Sequence, residues 1–473
     1  MSLVELPAQV PPADELGRVH FIGIGGAGMS AIARIMRARG MTVSGSDARE
    51  SAVLQALQAA GAITYVGHAA HQLAGVDTVV VSTAIRHDNP ELAEARRLGL
   101  RVLPRAAALA AVMTGRRAVT VAGTHGKTST TSLLTVALRH CGLDPSFAIG
   151  GELGELGTNA HDGTGDVFVA EADESDGSFL AYRPTGAVVT NIEADHLDTY
   201  GTPAAYQEAF DRFAALLPPD GFLVASADDP GAARLAARTG ERGVRTLTYG
   251  EAAGADLRVE AVETVGMSAR FEVVAHGQRL GAVALRVPGR HNVLNATAAL
   301  GAGLALGLPF GALREGLARF TGTRRRLEPK GEAAGVRVID SYAHHPSELV
   351  ADLRAARTIA GGGRVVAAFQ PHLYSRTQIF ARELGEALGL ADEVVVMDVY
   401  GAREEPVPGV SGALVAAAVP LAKDHVLFEP TWSAVPDRLV ERAEEGDLVL
   451  TLGAGDVTRI GPEVLARLAA RTA

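Results

Sequence analysis

Short apolar runs alternate with helical stretches through most of the chain, and this alternation restricts the fold more than any other feature. Val19 to Ile24, Thr42 to Ser46 and Thr78 to Ser82 come first. Apolar runs too short to be helices, each followed by a helical segment, read as strands joined by crossover helices, which predicts an α/β fold. The pattern restarts after the basic pair Arg116 and Arg117, with strands at Ala118 to Ala122, Val167 to Ala170 and Ala187 to Thr190. From Leu257 to Val287 the alternation of Val with Arg and Glu reads as antiparallel hairpins. Beyond the arginines Arg324 to Arg326 it restarts again, with strands at Val336 to Ile339, Val365 to Phe369, Val394 to Met397 and Leu448 to Leu452. A chain of 473 residues is too long for one ordinary core. Three domains are therefore expected, at residues 1–115, 116–322 and 323–473.

Charge and cysteine content exclude several classes of function. With 54 acidic and 44 basic residues the net charge is -10, so no global basic field gathers nucleic acid or an anionic membrane, and an anionic substrate must be met locally. Cys141 is the single cysteine, which rules out an intramolecular disulfide and a cysteine-only metal site and fits a reducing compartment. The start, MSLVELPAQVPPADELG, lacks the basic end and apolar core of a signal peptide, and no apolar run is long enough to span a bilayer. A soluble, cytoplasmic protein without membrane insertion is the expectation.

Two glycine loops carry the chemistry. The first, Gly23-Ile24-Gly25-Gly26-Ala27-Gly28, lies between a strand and a helix and is followed by Asp47 at the end of the next strand. It satisfies the dinucleotide fingerprint: glycines let the backbone approach a diphosphate, whose charge meets amide hydrogens at a helix amino terminus. That is diphosphate binding, not hydride transfer, and the motif alone does not separate NAD from another nucleoside diphosphate. A glycine turn needed only for helix packing is the plainer alternative.

The second loop follows the strand Val119 to Ala122 and runs Gly123-Thr124-His125-Gly126-Lys127-Thr128-Ser129 into a helical stretch ending at His140. Val121 stands where the full Walker consensus has its first glycine. The mechanical parts remain, with flexible glycines, Lys127 to neutralise terminal phosphates and the Thr128 hydroxyl to ligate a metal, so ATP is the leading cofactor. Magnesium (Mg2+) requires oxygen ligands, and Glu171, just past a strand in VFVAEADESD, is placed to deliver one. Asp173, Glu174 and Asp176 beside it would repel one another without cations, unless the segment is only a solvated acidic loop. His196, in TNIEADHLD, is a further ligand candidate or else a satisfied polar contact.

The strings GIGGAGMS (Gly23 to Ser30), GTHGKTSTT (Gly123 to Thr131), AEADESD (Ala170 to Asp176), TNIEADHLD (Thr190 to Asp198), HNVLNATAA (His291 to Ala299), QPHLYSR (Gln370 to Arg376) and DVYGAREEPVPG (Asp398 to Gly409), in that order, resemble the Mur ligase family over nearly the whole chain. The resemblance implies an N-terminal Rossmann-like UDP-sugar domain, a central P-loop ATPase-like domain and a C-terminal Rossmann-like domain. Gly23, Gly25, Gly26 and Gly28 would then cradle the diphosphate of UDP-N-acetylmuramate, not a nicotinamide cofactor. Lys127 would contact the ATP phosphates, Thr128 and Glu171 one magnesium, and Glu171 with His196 a second. His291, Asn292 and Asn295 would contact the nucleotide; taken without the family they read equally as a cap and two polar surface residues. Arg326 would reach the γ-phosphate and Asp340 the ribose, while Tyr342, His344 and Arg376 would face the incoming amino acid. If His344 and His345 lie on a strand, only one of them points inward.

The activity implied is ATP-dependent ligation of L-alanine to the lactyl carboxylate through an acyl phosphate, in peptidoglycan precursor synthesis and hence in cell-wall biogenesis, cell shape and cell division. Three departures bear on it. Ser341 and Ala343 stand where the family frequently has Asp and Gly, and Leu373 where many members have a basic residue. Thr199 to Phe213 holds no lysine for the carbamylated position of other members, which favours the alanine-adding branch. A recycling ligase that adds a preformed peptide, a nicotinamide-dependent oxidoreductase and a non-catalytic nucleotide sensor are the alternatives. With the binding residues divided among three domains, closure is expected.

Overall fold

A computed structural model describes residues 6–7, 9–82, 85–402 and 404–471. Outside them lie the start of the leader, Thr83, Ala84, Arg403 of the DVYGAREEPVPG string and the last two residues; the side chain of Asp198 is also outside. The chain forms two compact units, one of Met1–Glu260, Glu272–Val283 and Leu294–Phe320, the other of Ala261–Phe271, Ala284–Val293 and Thr321–Ala473.

In the first unit, β1 (Val19–Ile22), β2 (Val43–Asp47), β3 (Ile63–Val66), β4 (Thr78–Val81) and β5 (Arg101–Pro104) form a parallel sheet in the order β3-β2-β1-β4-β5. Strand order reverses beside β1, so the crevice at its carboxyl end is the natural ligand position, and the first glycine loop leaves β1 there. The strand expected to reach Ile24 stops at Ile22, because Gly23 turns the chain at φ 84°.

A second sheet comprises β6 (Arg117–Ala122), β7 (Ser146–Leu153), β8 (Thr158–His161), β9 (Val167–Glu171), β10 (Gly186–Val189), β11 (Phe222–Ser226), β12 (Arg245–Gly250), β13 (Leu257–Val265), β14 (Ser268–Ala275) and β15 (Gln278–Leu285), in the order β15-β14-β13-β12-β11-β10-β6-β9-β7-β8. Its centre is parallel, with β6 between β10 and β9. The last three strands are joined by two-residue links, which only antiparallel neighbours permit, as the Val, Arg and Glu alternation predicts. At one link His276 and Gly277 both have positive φ, the twist a tight hairpin requires.

In the second unit, β16 (Glu328–Ala333), β17 (Val336–Ser341), β18 (Val365–Phe369), β19 (Glu393–Val396), β20 (Val426–Phe428) and β21 (Leu448–Leu452) take the order β16-β17-β21-β18-β19-β20, antiparallel only at β16. Successive residues feed opposite cores: Ala367, Phe369 and Leu450 pack on one face, Val366, Ala368 and Val449 on the other. Both faces are therefore covered, which is why these strands read as continuous apolar runs.

Candidate active site

Around the first glycine loop, the amides of Gly23 and Ile24 donate to Ser46 O at 2.8 and 3.0 Å, and the Gly25 amide donates to Asp47 Oδ2 at 2.9 Å. The loop thus hangs from the end of β2. The helix Ala27–Ala38 opens behind it with Gly26 as N-cap, no side-chain cap and no acidic residue in its first turn. Its first amide hydrogens are left for an anion. Asp47, the acid that follows the loop in the fingerprint, spends one oxygen on holding it.

The phosphate loop runs from β6 into the helix Lys127–His140, which starts two residues earlier than the Ser129 expected. Gly126 has φ 83°, and a Cβ there would come within 2.6 Å of Asn295 Oδ1, so both backbone shape and a close neighbour require glycine. Thr124 is held by the Glu193 amide at 3.0 Å and the Tyr206 hydroxyl at 2.9 Å, and the His125 amide donates to Asn191 Oδ1 at 2.8 Å. The His125 imidazole lies 3.2 Å from Glu193. Ser129 is buried in the first helical turn.

Lys127 folds back across this loop, donating to Gly123 O at 2.7 Å and Thr124 O at 3.2 Å and pairing with Glu174 at 2.9 Å. Burial and the Asp173 charge push Glu174 up to about 7 against the pull of Lys127. Asp173 is the opposite case: burial works against it, yet Arg105 and Lys127 hold it down to about 2. The acidic segment is therefore no freely solvated loop, since Glu174 is fully buried and both carboxylates are cation-bound.

Glu171 ends β9 instead of following it. Its Oε2 accepts from Thr128 Oγ1 at 3.2 Å and its Oε1 from the Gly150 amide at 2.6 Å. A hydroxyl and a carboxylate converging at the start of the helix suit a hard cation such as magnesium. His196 takes φ 52° and sets its Nε2 3.8 Å from Glu174 and 3.6 Å from Asp195. Asn292 and Asn295 lie in the helix Arg290–Ala305, and both are buried, so the surface-polar reading fails. Asn292 Nδ2 donates to Pro288 O at 2.8 Å, while Asn295 faces Gly126.

The second unit holds the remaining candidates. Arg325 and Arg326 place their guanidiniums 4.9 and 5.2 Å from the Tyr342 ring centre. Arg326 Nη1 is 3.9 Å from Glu348. Asp340 is fully buried, accepting from Thr451 Oγ1 at 2.6 Å and Thr458 Oγ1 at 2.7 Å. His344 Nδ1 lies 3.0 Å from Tyr342 O; a carbonyl only accepts, so the proton sits on Nδ1 and Nε2 carries the lone pair. Burial, with Arg376 and His372 nearby, pushes His344 down to about 3 despite Glu348. Burial and Arg326 likewise push His291 down to about 4, and its Nε2 is 3.8 Å from Asp352.

The strand argument about His344 and His345 does not apply. β17 ends at Ser341, and His345 instead caps the helix Pro346–Ala360 in a reciprocal capping box with Glu348. Arg376 is buried in the first turn of the helix Tyr374–Leu388, and Ser341 donates to Asp352. Sequence reasoning missed Arg105, Asn191, Tyr206, Arg325 and Glu348. Two of them carry a local signal: Asn191 lies inside the TNIEADHLD string, and Glu348 with Pro346 marks a helix start.

Comparison with known proteins settles the family. Residues 18–117 match the Mur ligase family catalytic domain, 121–303 the Mur ligase middle domain, and 325–455 the Mur ligase glutamate ligase domain. The chain belongs to the Mur ligase family. Within this family it is 61% identical over 463 residues to the UDP-N-acetylmuramate–L-alanine ligase of Nocardioides sp., covering 98% of this chain and 99% of that one. The enzyme of that name from Acidothermus cellulolyticus is 59% identical, with 97% of each chain covered. Among solved structures, the UDP-N-acetylmuramate-alanine ligase of Thermotoga maritima superposes with a TM-score of 0.82 at 29% identity over 96% of this chain and 99% of that chain. A murein peptide ligase of Psychrobacter arcticus gives 0.71 at 26% identity over 96% and 99%. Mur ligase membership gives both glycine loops a purpose that an oxidoreductase would not.

Proposed function

We propose that this chain joins L-alanine to the lactyl carboxylate of UDP-N-acetylmuramate, converting ATP to ADP and phosphate, in peptidoglycan precursor synthesis. The observation that carries the reading is the pairing of two glycine loops in a Mur ligase: an uncapped helix amino end beside Asp47, and a phosphate loop with Lys127, Thr128 and Glu171 converging on it. Identity of 61% to an alanine ligase over 98% of the chain supports the alanine-adding branch. The work is divided among a UDP-sugar domain at residues 1–115, an ATP domain at 116–322 and an amino-acid domain at 323–473.

In the first step a lactyl carboxylate oxygen attacks the γ-phosphorus and ADP leaves. Lys127 and Arg326 meet the phosphate charge, and amide hydrogens of the phosphate loop orient the leaving group. Thr128 and Glu171, with His196 at a second position, would hold magnesium, which supplies charge neutralisation on the phosphates when bound. In the second step the alanine amine attacks the acyl carbon and phosphate departs. Arg376 presents a fork able to grip the amino-acid carboxylate. His344, neutral with its lone pair on Nε2, accepts a hydrogen bond from the amine; burial lowers its pKa to about 3, so it orients the amine and keeps no proton, and the proton the amine loses leaves on the departing phosphate. Asp340, Tyr342, His291, Asn292 and Asn295 hold nucleotide and amino acid in place. The cytoplasm is the expected location, and among the described residues no helix is long and apolar enough to cross a membrane.

The test is ATP-dependent phosphate release with UDP-N-acetylmuramate and alanine, serine, glycine or a tripeptide supplied separately. Release that is greatest with alanine supports the reading. Release greatest with the tripeptide makes the chain a recycling ligase, and none with any acceptor makes it a binding protein.

A further inference from the structure

Arg105 opens the helix Arg105–Met113 directly after β5, at the carboxyl edge of the five-stranded sheet where open parallel sheets take their ligands. Two neighbours fix where its guanidinium lies. A Cβ built on Gly28 would stand 3.0 Å from both Cδ and Nη1 of Arg105, so the side chain is laid against the first turn of the helix Ala27–Ala38, and the missing Cβ makes room for it. On its other side, Nη2 donates to Asp173 Oδ2 at 3.1 Å.

The string GIGGAGMS contains no cation of its own. Backbone amides and a helix dipole are modest counter-charges for a diphosphate, in a chain whose net charge is -10. Arg105 brings the missing full charge from the next helix, on a planar fork that suits phosphate oxygens. Its tie to Asp173 has a parallel one residue along, where Glu174 holds Lys127 of the phosphate loop at 2.9 Å. Consecutive carboxylates of one loop thus occupy the cation of each glycine loop.

We infer that Arg105 is a binding residue for the diphosphate of the sugar nucleotide, and that this anion takes the guanidinium over from Asp173. The inference rests on the proposed function in taking a UDP-sugar as substrate. That substrate offers two anions, the diphosphate and the lactyl carboxylate, and the position of the guanidinium against Gly28 assigns it the diphosphate.

Calorimetric titration of the full chain tests this with UDP-N-acetylmuramate, with UDP-N-acetylglucosamine, which has the same diphosphate and no lactyl carboxylate, and with a non-hydrolysable ATP analogue. Arg105→Ala weakens both UDP-sugars equally, by roughly 10- to 100-fold, and leaves the ATP analogue unchanged. Arg105→Lys, which also serves where the alanine variant does not fold, loses part of that affinity. Asp173→Asn, which removes the rival anion, binds both UDP-sugars more tightly than the parent. A loss confined to UDP-N-acetylmuramate moves Arg105 to the lactyl carboxylate and overturns the diphosphate assignment, as do unchanged affinities. Parallel losses in Arg105→Ala and Asp173→Asn make the ion pair a structural strut and overturn the displacement. A parent that binds the ATP analogue and neither UDP-sugar overturns the sugar-nucleotide reading itself, and Arg105's assignment with it.

Discussion

Lys127 and Glu174 form an ion pair of 2.9 Å across the phosphate loop, with the carboxylate fully buried. The lysine expected to neutralise ATP is thus already paired within its own chain, and in the proposed function nucleotide phosphates compete with Glu174 for it. Lys127→Ala removes the cation from the transferred phosphate, and turnover falls by about 100- to 1,000-fold or more. UDP-sugar affinity, measured by calorimetry, is expected to stay near the parent value, since the proposed site for that ligand is the other loop. Loss of UDP-sugar affinity in a folded variant would count against the division of labour.

Glu171→Gln keeps the volume of the side chain and removes its charge at the Thr128 hydroxyl, 3.2 Å away. Activity drops sharply and recovers only partly as magnesium is raised, read as a shift in the magnesium dependence of phosphate release. Parent-like activity at low magnesium would remove Glu171 from the metal site.

How far the sequence disclosed this arrangement depends on sequence distance. Strand positions were legible because sheets buried on both faces keep apolar runs, and Glu171 was legible because a strand must deliver it. Arg105 was not: Asp173 stands out as one of a run of acids that calls for a cation, but the partner lies 68 positions away and nothing local marks Arg105. Asn295 resembled a surface residue because burial against Gly126 is a property of the fold, not of the helix that carries it. His345 was misread for a smaller reason: β17 ends at Ser341, and alternation has no meaning once a strand has ended.

His344 and His291 make stability depend on pH. Both have folded pKa values below the ordinary 6.5, about 3 and about 4, owing mainly to burial. The unfolded chain therefore binds more protons between those values and 6.5, and stability is complete above that window and lost as pH falls through it. Glu174 and Asp352, raised to about 7, act in the opposite sense over part of the range, so the parent's slope alone is not diagnostic. His344→Asn should flatten the fall in melting temperature between pH 6.5 and 4 relative to the parent; an identical slope would show that His344 is not held neutral by the fold.

Arg376→Lys keeps a charge and loses the planar fork. The KM for alanine rises by roughly tenfold or more, while those for ATP and the UDP-sugar change little. Glycine and serine are used to a reduced extent by the parent, since one methylene-sized difference is worth only about 1–3 kcal/mol. A rise confined to the KM of ATP would put Arg376 in another subsite.

Arg325 and Arg326 look like a repeated letter, yet the chain asks different things of them. Arg325, at φ 61°, spreads its guanidinium over the carbonyls of Gly453, Ala454 and Gly455 at 2.6 to 3.3 Å. No other side chain spans three carbonyls with one rigid plane, so position 325 is constrained by shape. Arg326 faces Glu348 at 3.9 Å and is constrained by charge. A saturation screen should therefore separate the twins: lysine is refused at 325 on grounds of folding yield, and at 326 it yields a well-folded protein whose defect lies in its chemistry.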